Sequence, residues 1–304
     1  MEPQPDQQCV LIDNLRRHVD RLAGIIGPRH VGLPHALAAA ATLVERELVS
    51  AGYSVQRQAY RAGGQEVSNL VAELPGAARA DEIVILGAHY DTVPTTPGAD
   101  DNGSAVAVLL EVARLMRSRQ CARTIRFVAF TCEESPHFHT GEMGSQMYAR
   151  SCRARGDRLV GMLCLEMVGF YASAPDSQRI PSAIPSFLRP VFPPRGDFLA
   201  AVGNLRSWKL LWKFRRGFRR TGRLPLFSIV LPEAIHDIRR SDNSSFWDQG
   251  YQALMLTDTS YLRNPHYHLA SDTPETLDYE RMAAAVDGVM GGVAEVALAR
   301  SPRR

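Results

Sequence analysis

The sequence predicts a three-layer α/β/α sandwich with a central mixed, mostly parallel sheet, built as a single domain over residues 1–304. Three observations predict this fold. Strand-like and helix-like segments alternate along the chain, which places helices on both faces of one sheet. Segments such as 82–88 (EIVILGA) are short apolar runs, typical of strands buried on both faces. Acidic and imidazole side chains follow such strands directly, at the edge where α/β sheets bind ligands.

The elements are predicted from the spacing of apolar residues. Intervals of three and four residues predict helices, and short apolar runs between turn residues predict strands. In chain order, we predict helices over 10–26 and 34–52, strands over 54–60, 66–74 and 82–88, a helix over 103–118, a strand over 124–131, a helix over 144–153, a strand over 159–167 and a last helix over 278–299.

Two segments depart from this alternation. Residues 172–200 hold six prolines and form an irregular excursion, which either shapes a substrate pocket or is a plain surface loop. Residues 207–223 (SWKLLWKFRRGFRRTGR) are basic and aromatic. For them we favour an amphipathic surface helix and a solvated charge run over contact with nucleic acid or a membrane.

Composition narrows the class of protein. The formal net charge of +3 over 304 residues favours no particular charged partner. Five scattered cysteines without a C-x-x-C pair make a disulfide framework unexpected and fit a reducing compartment. Because neither a signal peptide nor a membrane-spanning stretch is evident, we expect a cytoplasmic location. The sequence does not predict the oligomeric state.

Acids and histidines cluster after the predicted strands. His89 and Asp91 are two residues apart and share a side of an extended segment, so Asp91 can hold the second nitrogen of a metal-bound imidazole. Asp100 and Asp101 lie between glycines before a helix. Capping of that helix by Asn102 or Ser104 is the alternative, but capping does not require two consecutive acids.

Further candidate ligands follow later in the chain. Glu133 and Glu134 end one predicted strand, and Glu166 ends another. Two histidines, His266 and His268, lie near residue 270, and spacing alone does not choose between them. Imidazole and carboxylate ligands suit zinc, with cobalt or manganese as substitutes. The set is large enough for two metal ions that share one carboxylate.

These motifs, in this order, resemble the M28 family of zinc peptidases, which includes bacterial aminopeptidases, glutamate carboxypeptidases and the related glutaminyl cyclases. The matching stretches are GAHYDTVPTTPGADDNGSAVAVLLEVARLM, TIRFVAFTCEE with GEMGSQMYA, LCLEMVGF and NPHYHLASDTPETLDYERM. The resemblance covers about residues 35–298 and implies a zinc-dependent exopeptidase fold with two zinc ions per chain. Each motif is weak alone, and together they are specific.

The resemblance also implies residue roles. The implied metal ligands are His89, Asp100, Glu134, Glu166 and His268, with Asp100 bridging both ions, Glu133 as general base and Asp91 orienting His89. It further suggests a cis peptide bond between Asp100 and Asp101. Two positions depart from the family pattern: many family aminopeptidases have Asp in place of Glu166, and the family often has His where this chain has Asn243.

The expected function is hydrolysis of the N-terminal amide bond of peptides, by a metal-bridging water and Glu133 as general base. The expected partners are peptides with a free N-terminus, and neither nucleic acid nor a membrane. Two alternatives use the same fold: a glutaminyl-cyclase-like acyl transferase with one zinc, and a binding domain without catalysis. A third is a nucleic-acid or membrane-surface protein that uses the basic residues of 207–223.

Overall fold

A computed structural model of the chain describes residues 5–298 and confirms the three-layer architecture, with one eight-stranded mixed sheet between two layers of helices. The helices are Pro5–Val19 (α1), Pro34–Ser50 (α2), Ala105–Met116 (α3), Gly144–Arg155 (α4), Trp208–Thr221 (α5), Asn243–Asp248 (α6) and Tyr279–Ala297 (α7). The strands are Val55–Ala62 (β1), Gln65–Leu74 (β2), Arg79–His89 (β3), Arg123–Phe130 (β4), Arg158–Glu166 (β5), Leu199–Asn204 (β6), Leu226–Leu231 (β7) and Ala253–Thr257 (β8). Residue 299, the predicted end of the last helix, lies outside the described residues.

The sheet has the strand order β1-β2-β4-β3-β5-β8-β6-β7. Its centre is parallel, because β3 pairs in parallel with β4 and β5, and β5 with β8. Antiparallel pairs join β1 to β2, β2 to β4, and β6 to β8. The carboxyl ends of β3, β4, β5 and β8 therefore meet at one edge, which we call the carboxyl edge.

Both faces of the sheet are apolar, as the unbroken hydrophobic run in β3 predicts. Val84 and Leu86 belong to the core under α1, α2, α3, α5 and α7, whereas Ile83 and Ile85 belong to the core under α4 and α6. Burial of one such side chain contributes about 1.5–3 kcal/mol to stability. The two cores fix the strands in place, so the loops at the carboxyl edge start from rigid positions.

The second half of the sheet was not predicted from the sequence. Strands β6, β7 and β8 and helix α6 are shorter than the predicted elements, and β7 is only half buried along most of its length. Short, half-buried strands lack the long apolar run that marks β3. All five cysteines are free thiols. Among residues 5–298, no helix is long and apolar enough to cross a membrane.

Candidate metal centre

Four chain segments bring acids and histidines to the carboxyl edge. His89 is the last residue of β3 and Glu166 is the last residue of β5. Glu133 and Glu134 follow β4 after a two-residue gap, and His268 lies in the loop between β8 and α7. His89 is fully buried, and the three glutamates are less than one-tenth exposed.

The first group of potential ligands is His89, Glu133 and Glu166, whose ligand atoms all lie within 4.8 Å of one another. The Nε2 atom of His89 is 3.3 Å from Oε2 of Glu166 and 3.8 Å from Oε2 of Glu133. One imidazole and two carboxylates around a common point are typical of a zinc site.

The second group is Asp101, Glu134 and His268, again within 4.8 Å of one another. The Nε2 atom of His268 is 3.1 Å from Oδ2 of Asp101 and 3.3 Å from Oε1 of Glu134. His266 belongs to neither group, because its Nδ1 lies 3.0 Å from the hydroxyl oxygen of Ser271.

Asp101 connects the two groups. Its Oδ1 is 3.5 Å from Nε2 of His89, while its Oδ2 faces His268 in the other group. A carboxylate with one oxygen toward each of two ligand sets has the geometry that two neighbouring metal ions share.

The family resemblance implied that Asp100 would bridge the two ions, but the structure places the carboxylate of the next residue, Asp101, between the two groups. The carboxylate of Asp100 points away from both groups: Oδ1 accepts hydrogen bonds from the Ser104 hydroxyl and the Gly169 amide, both at 2.9 Å, and Oδ2 accepts one from Asn264 at 2.7 Å. The cis peptide bond is likewise one residue later than expected, between Asp101 and Asn102. The turn Ala99–Ser104 thus presents the second acid to the site and uses the first as a support.

The backbone turns sharply at three of the four segments. Cys132, which precedes Glu133, has φ +57°, Met167, which follows Glu166, has φ +47°, and His268 itself has φ +60°. Positive φ is unfavourable for residues other than glycine, and such conformations cluster at functional sites. These turns stop the strands and redirect the ligand side chains toward one point.

Asp91 supports two segments at once. The Nδ1 atom of His89 is 3.2 Å from the main-chain oxygen of Asp91 and 3.6 Å from its Oδ1. The same carboxylate accepts hydrogen bonds from the amides of Glu133 and Glu134, both at 3.1 Å. Although burial raises the pKa of Asp91, these bonds and the contact with His89 lower it below its usual value.

Asp272 supports the Asp101 turn in the same way. Its carboxylate accepts hydrogen bonds from the amides of Asp100 at 2.9 Å and Asp101 at 3.1 Å. Burial and the charge of Asp100 raise the pKa of Asp272 to about 7.

Arg29 holds the other side of the turn. It is fully buried, and its guanidinium donates hydrogen bonds to the carbonyls of Pro97 at 2.6 Å, Gly98 at 2.9 Å and Tyr90 at 2.7 Å. Gly98 has φ +62°, and a Cβ there would lie 2.3 Å from the Asp101 carbonyl, so the turn requires glycine. Burial lowers the pKa of Arg29 to about 10.

The acids of the two groups crowd one another. Burial, with the neighbouring charges of Glu134 and Glu166, raises the pKa of Glu133 well above its ordinary value. Burial and the charge of Asp101 raise the pKa of Glu134 to about 7. Burial lowers the pKa of His268, but Asp101 and Glu134 outweigh it and raise that pKa to about 10.

The residues fit a bound cation. In the structure, four buried atoms of the two groups have no hydrogen-bond partner: His89 Nε2, Asp101 Oδ1, Glu134 Oε1 and His268 Nε2. Among residues 5–298, no lysine or arginine forms an ion pair with any of the six residues. Buried polar atoms without partners are costly, and metal ions would satisfy all four.

Several neighbours were missed by the sequence interpretation. Ser241 donates a hydrogen bond to Oε2 of Glu166 at 2.6 Å, and the adjacent Asp242 is buried with neither oxygen hydrogen-bonded. Burial raises the pKa of Asp242 to about 7. The ring of Tyr267 stacks on His268 at 3.8 Å. Asp242 could have been noticed from the sequence, because it precedes Asn243, the position where the family often has histidine. No sequence pattern marked Tyr267.

Three further polar residues near the site lie outside the two groups. His137 contacts Glu142 through Nδ1 at 3.0 Å, and His139 contacts the carbonyl of Arg239 through Nε2 at 3.0 Å; both lie in the loop after β4. Asn243 donates a hydrogen bond to the carbonyl of Ile238 at 2.9 Å.

A pocket of about 800 Å³, including its open mouth, borders Glu166. Its walls come from the 172–200 excursion, β6, β7 and β8, and its largest apolar side chains are Phe192, Phe198, Phe227, Ile229 and Met255. The excursion therefore shapes a pocket, which was one of its two interpretations. Size and apolar lining are typical of a site for a small ligand.

Comparisons with known proteins identify a peptidase family. The model of peptidase family M28 matches residues 69–292. The chain is 36% identical over 286 residues to the uncharacterized protein YfbL of Escherichia coli, covering 91% of this chain and 86% of that protein. It is 28% identical over 253 residues to leucine aminopeptidase 1 of Trichophyton equinum, covering 75% of this chain but only 58% of that enzyme.

Solved structures share the fold. BSAP, a zinc aminopeptidase from Bacillus subtilis, aligns with a TM-score of 0.72 at 18% identity, covering 94% of this chain and 95% of that one. The glutaminyl cyclase of Fimbriiglobus ruber aligns with a TM-score of 0.67 at 20% identity, covering 94% and 95%.

Proposed function

The chain belongs to peptidase family M28, and on this premise we propose that it is a two-zinc aminopeptidase selective for apolar N-terminal residues. The observation that carries the proposal is the pair of ligand groups connected by Asp101. The similarity to leucine aminopeptidases and to a zinc aminopeptidase supports the reaction class and the metal.

Each ion would be held by two residues of one group together with Asp101. We assign His89 and Glu166 to the first ion, Glu134 and His268 to the second, and Asp101 to both. When bound, the ions would supply Lewis acidity that polarises the scissile carbonyl and acidifies a shared water.

Glu133 is the proposed general base. Its Oε2 lies 3.8 Å from Nε2 of His89 in the first group, and the next residue along the chain, Glu134, belongs to the second group. We propose that Oε2 of Glu133 takes the proton from the attacking water and returns it to the leaving amine. Asp91 would keep Glu133 and Glu134 apart and oriented, because its carboxylate binds both of their amides.

The pocket beside Glu166 is proposed to bind the side chain of the substrate's first residue. Its walls are mostly apolar, although two arginines and an aspartate also line it, and Phe198 and Phe227 pack edge to face with ring centroids 5.7 Å apart. An apolar side chain gains free energy by leaving water for such a surface, at about 25 cal/mol per Å² buried. We therefore propose leucyl, methionyl or phenylalanyl substrates over charged ones.

The direct test is zinc analysis combined with an aminoacyl-anilide panel on the same sample. We expect about two zinc ions per chain and faster cleavage of leucyl than of lysyl or glutamyl anilide. One zinc, with cyclisation of N-terminal glutamine and no anilide cleavage, would replace the proposal by a glutaminyl-cyclase-like function. Failure to bind zinc at all would indicate a binding domain without catalysis.

A further inference from the structure

Helix α5 has one face buried in the molecule and one face open to solvent. Leu210, Phe214 and Phe218 are buried against the core, and a Cβ on Gly217 would lie 2.2 Å from the Gly291 carbonyl of α7. This close packing fixes the rotation of α5 about its axis. The composition of the outward face is therefore a stable property of the surface.

The outward face presents two tryptophans and two arginines in one line. Trp208, Trp212, Arg215 and Arg219 follow one another at intervals of four, three and four residues, which places them on one stripe of the helix. Each tryptophan is 56% exposed, and Leu205 just before the helix is 57% exposed. Two large aromatic rings on one exposed stripe are typical of a contact surface.

The charge around the stripe is strongly positive. Residues 205–223 include eight lysines and arginines and no acid, in a chain whose net charge is only +3. Arg216 and Arg220 pair with Glu295 of α7. Within residues 5–298, Lys209, Arg215 and Arg219 form no ion pair, so their charges are available to an outside partner.

The stripe begins at the edge of the sheet opposite the metal centre. Ser207, which precedes α5, accepts a hydrogen bond through Oγ from the amide of Ala253, the first residue of β8. The last residue of β8, Thr257, lines the pocket beside Glu166 at the other end of the strand. A partner on the stripe would therefore leave the carboxyl edge open to substrate.

We infer that this face of α5 binds the surface of an anionic lipid bilayer. A bilayer can bind both kinds of side chain in the stripe. Its negative headgroups attract the arginines, and its interfacial layer is a favourable environment for tryptophan rings. Because the opposite side of α5 is packed in the protein core, the helix would lie parallel to the bilayer surface with its tryptophan rings pointing into the bilayer. This inference revises the expectation of no membrane partner and does not depend on the proposed peptidase activity.

The test is co-sedimentation of the full zinc-loaded chain with vesicles. We expect binding to mixed phosphatidylglycerol–phosphatidylcholine vesicles, little binding to phosphatidylcholine alone, and loss of binding at high salt. The emission of Trp208 and Trp212 should shift to the blue on binding, since the third tryptophan, Trp247, is already buried. Unchanged emission with no sedimentation would overturn the inference.

Matched variants distinguish vesicle binding by the stripe from a general effect of positive charge. W208A/W212A and R215Q/R219Q should each lower vesicle binding by at least about tenfold, at unchanged zinc content. The control R150Q/R153Q removes the same charge from exposed positions on α4, across the sheet, and should bind like wild type. Equal losses in both arginine variants would overturn the inference, as would tight binding of duplex DNA without any vesicle binding.

Discussion

Glu111 on α3 and Glu133 after β4 are both buried carboxylates, but their charges are balanced by different means. Glu111 is 1% exposed and accepts hydrogen bonds from Arg114 at 2.7 Å and Asn14 at 3.2 Å, with Nε2 of His18 at 3.3 Å. Glu133 is 5% exposed and has Glu134 and Glu166 among its neighbours. Glu111 is paired with an arginine, whereas Glu133 has two other acids beside it and a histidine, His89, at 3.8 Å.

The difference separates a structural acid from an acid at a metal centre. A buried charge is tolerated when it is paired, and an unpaired group instead shifts its pKa or binds a cation from solution. Within the described part of the chain, no lysine or arginine forms an ion pair with any of the six residues at the carboxyl edge. We therefore expect Glu111 to contribute to stability and Glu133 to catalysis.

The largest expected effect comes from Glu133→Gln. If Glu133 moves the proton, kcat should fall by about 10³-fold, or about 4 kcal/mol in activation free energy, while zinc content stays unchanged. Steady-state kinetics on leucyl anilide with zinc analysis checks this. Glu111→Gln is the matched control and should leave kcat of the folded enzyme unchanged. A Glu133→Gln enzyme with near-normal kcat would remove Glu133 from the mechanism.

Metal removal is expected to make stability fall as pH rises. In the metal-free protein the pKa of Glu134 is about 7 against an ordinary value of 4.5, because of burial and the charge of Asp101. The folded state then keeps a proton that the unfolded state releases, so stability is lost as pH rises from 4.5 through 7. The raised pKa of His268, about 10 against 6.5, acts in the same direction between pH 6.5 and 10.

Urea denaturation of the chelated protein across this pH range measures how the free energy of unfolding changes with pH. Zinc at 1,000 times its Kd should add about 4 kcal/mol to the free energy of unfolding. Without metal, the stability of the variant Glu134→Gln should depend less on pH than that of wild type. Stability that rises with pH in the chelated wild type would contradict the charge crowding at this site.

Glu111 should give the opposite pH dependence. Burial raises its pKa, but the hydrogen bonds from His18 and Arg114 outweigh this and lower it to about 2, against 4.5 when unfolded. Its contribution is complete above pH 4.5 and is lost as pH falls through 2. We expect Glu111→Gln to cost about 3 kcal/mol at pH 7, with a difference from wild type that shrinks below pH 4.5.

The control for Glu111 is Asp13→Asn, an exposed acid on α1 with the same loss of charge. It should leave the unfolding free energy within about 0.5 kcal/mol of wild type. If both variants lose the same stability, the loss reflects net charge and not the paired geometry of Glu111.

The smallest effect is expected in the pocket beside Glu166. Ala200→Met places a longer side chain on β6, at the pocket wall. It should lower kcat/KM for leucyl anilide about tenfold relative to alanyl anilide, since the smaller substrate still fits. An equal loss for both substrates would show that the pocket does not select the side chain.

Sequence patterns predicted the fold, and they marked most of the residues that the structure brings together at the carboxyl edge, for a physical reason. Long apolar strands such as β3 are evident in the sequence, and polar residues that end such strands, such as His89 and Glu166, are not expected from composition alone. The choice between Asp100 and Asp101 was beyond these patterns. It depends on how the Ala99–Ser104 turn is held, and its supports, Arg29 and Asp272, lie far away in the sequence.

The pocket was equally hard to predict. Its walls combine the irregular 172–200 excursion with β6, β7 and β8, and β7 is too exposed to stand out as a strand. The excursion was recognised as irregular from its prolines, but its packing against those strands is a tertiary property. Local patterns do not encode such contacts.

The most direct test of the central claim is zinc binding by calorimetry to the metal-free wild type, Asp101→Asn and Asp100→Asn. If Asp101 is shared by two ions, wild type should bind about two zinc ions, and Asp101→Asn should bind them at least about 10–100 times more weakly. Asp100→Asn should stay close to wild type, because its carboxylate faces Ser104, Gly169 and Asn264. A wild type that binds no zinc, or an Asp101→Asn protein that binds it as tightly as wild type, would contradict the account.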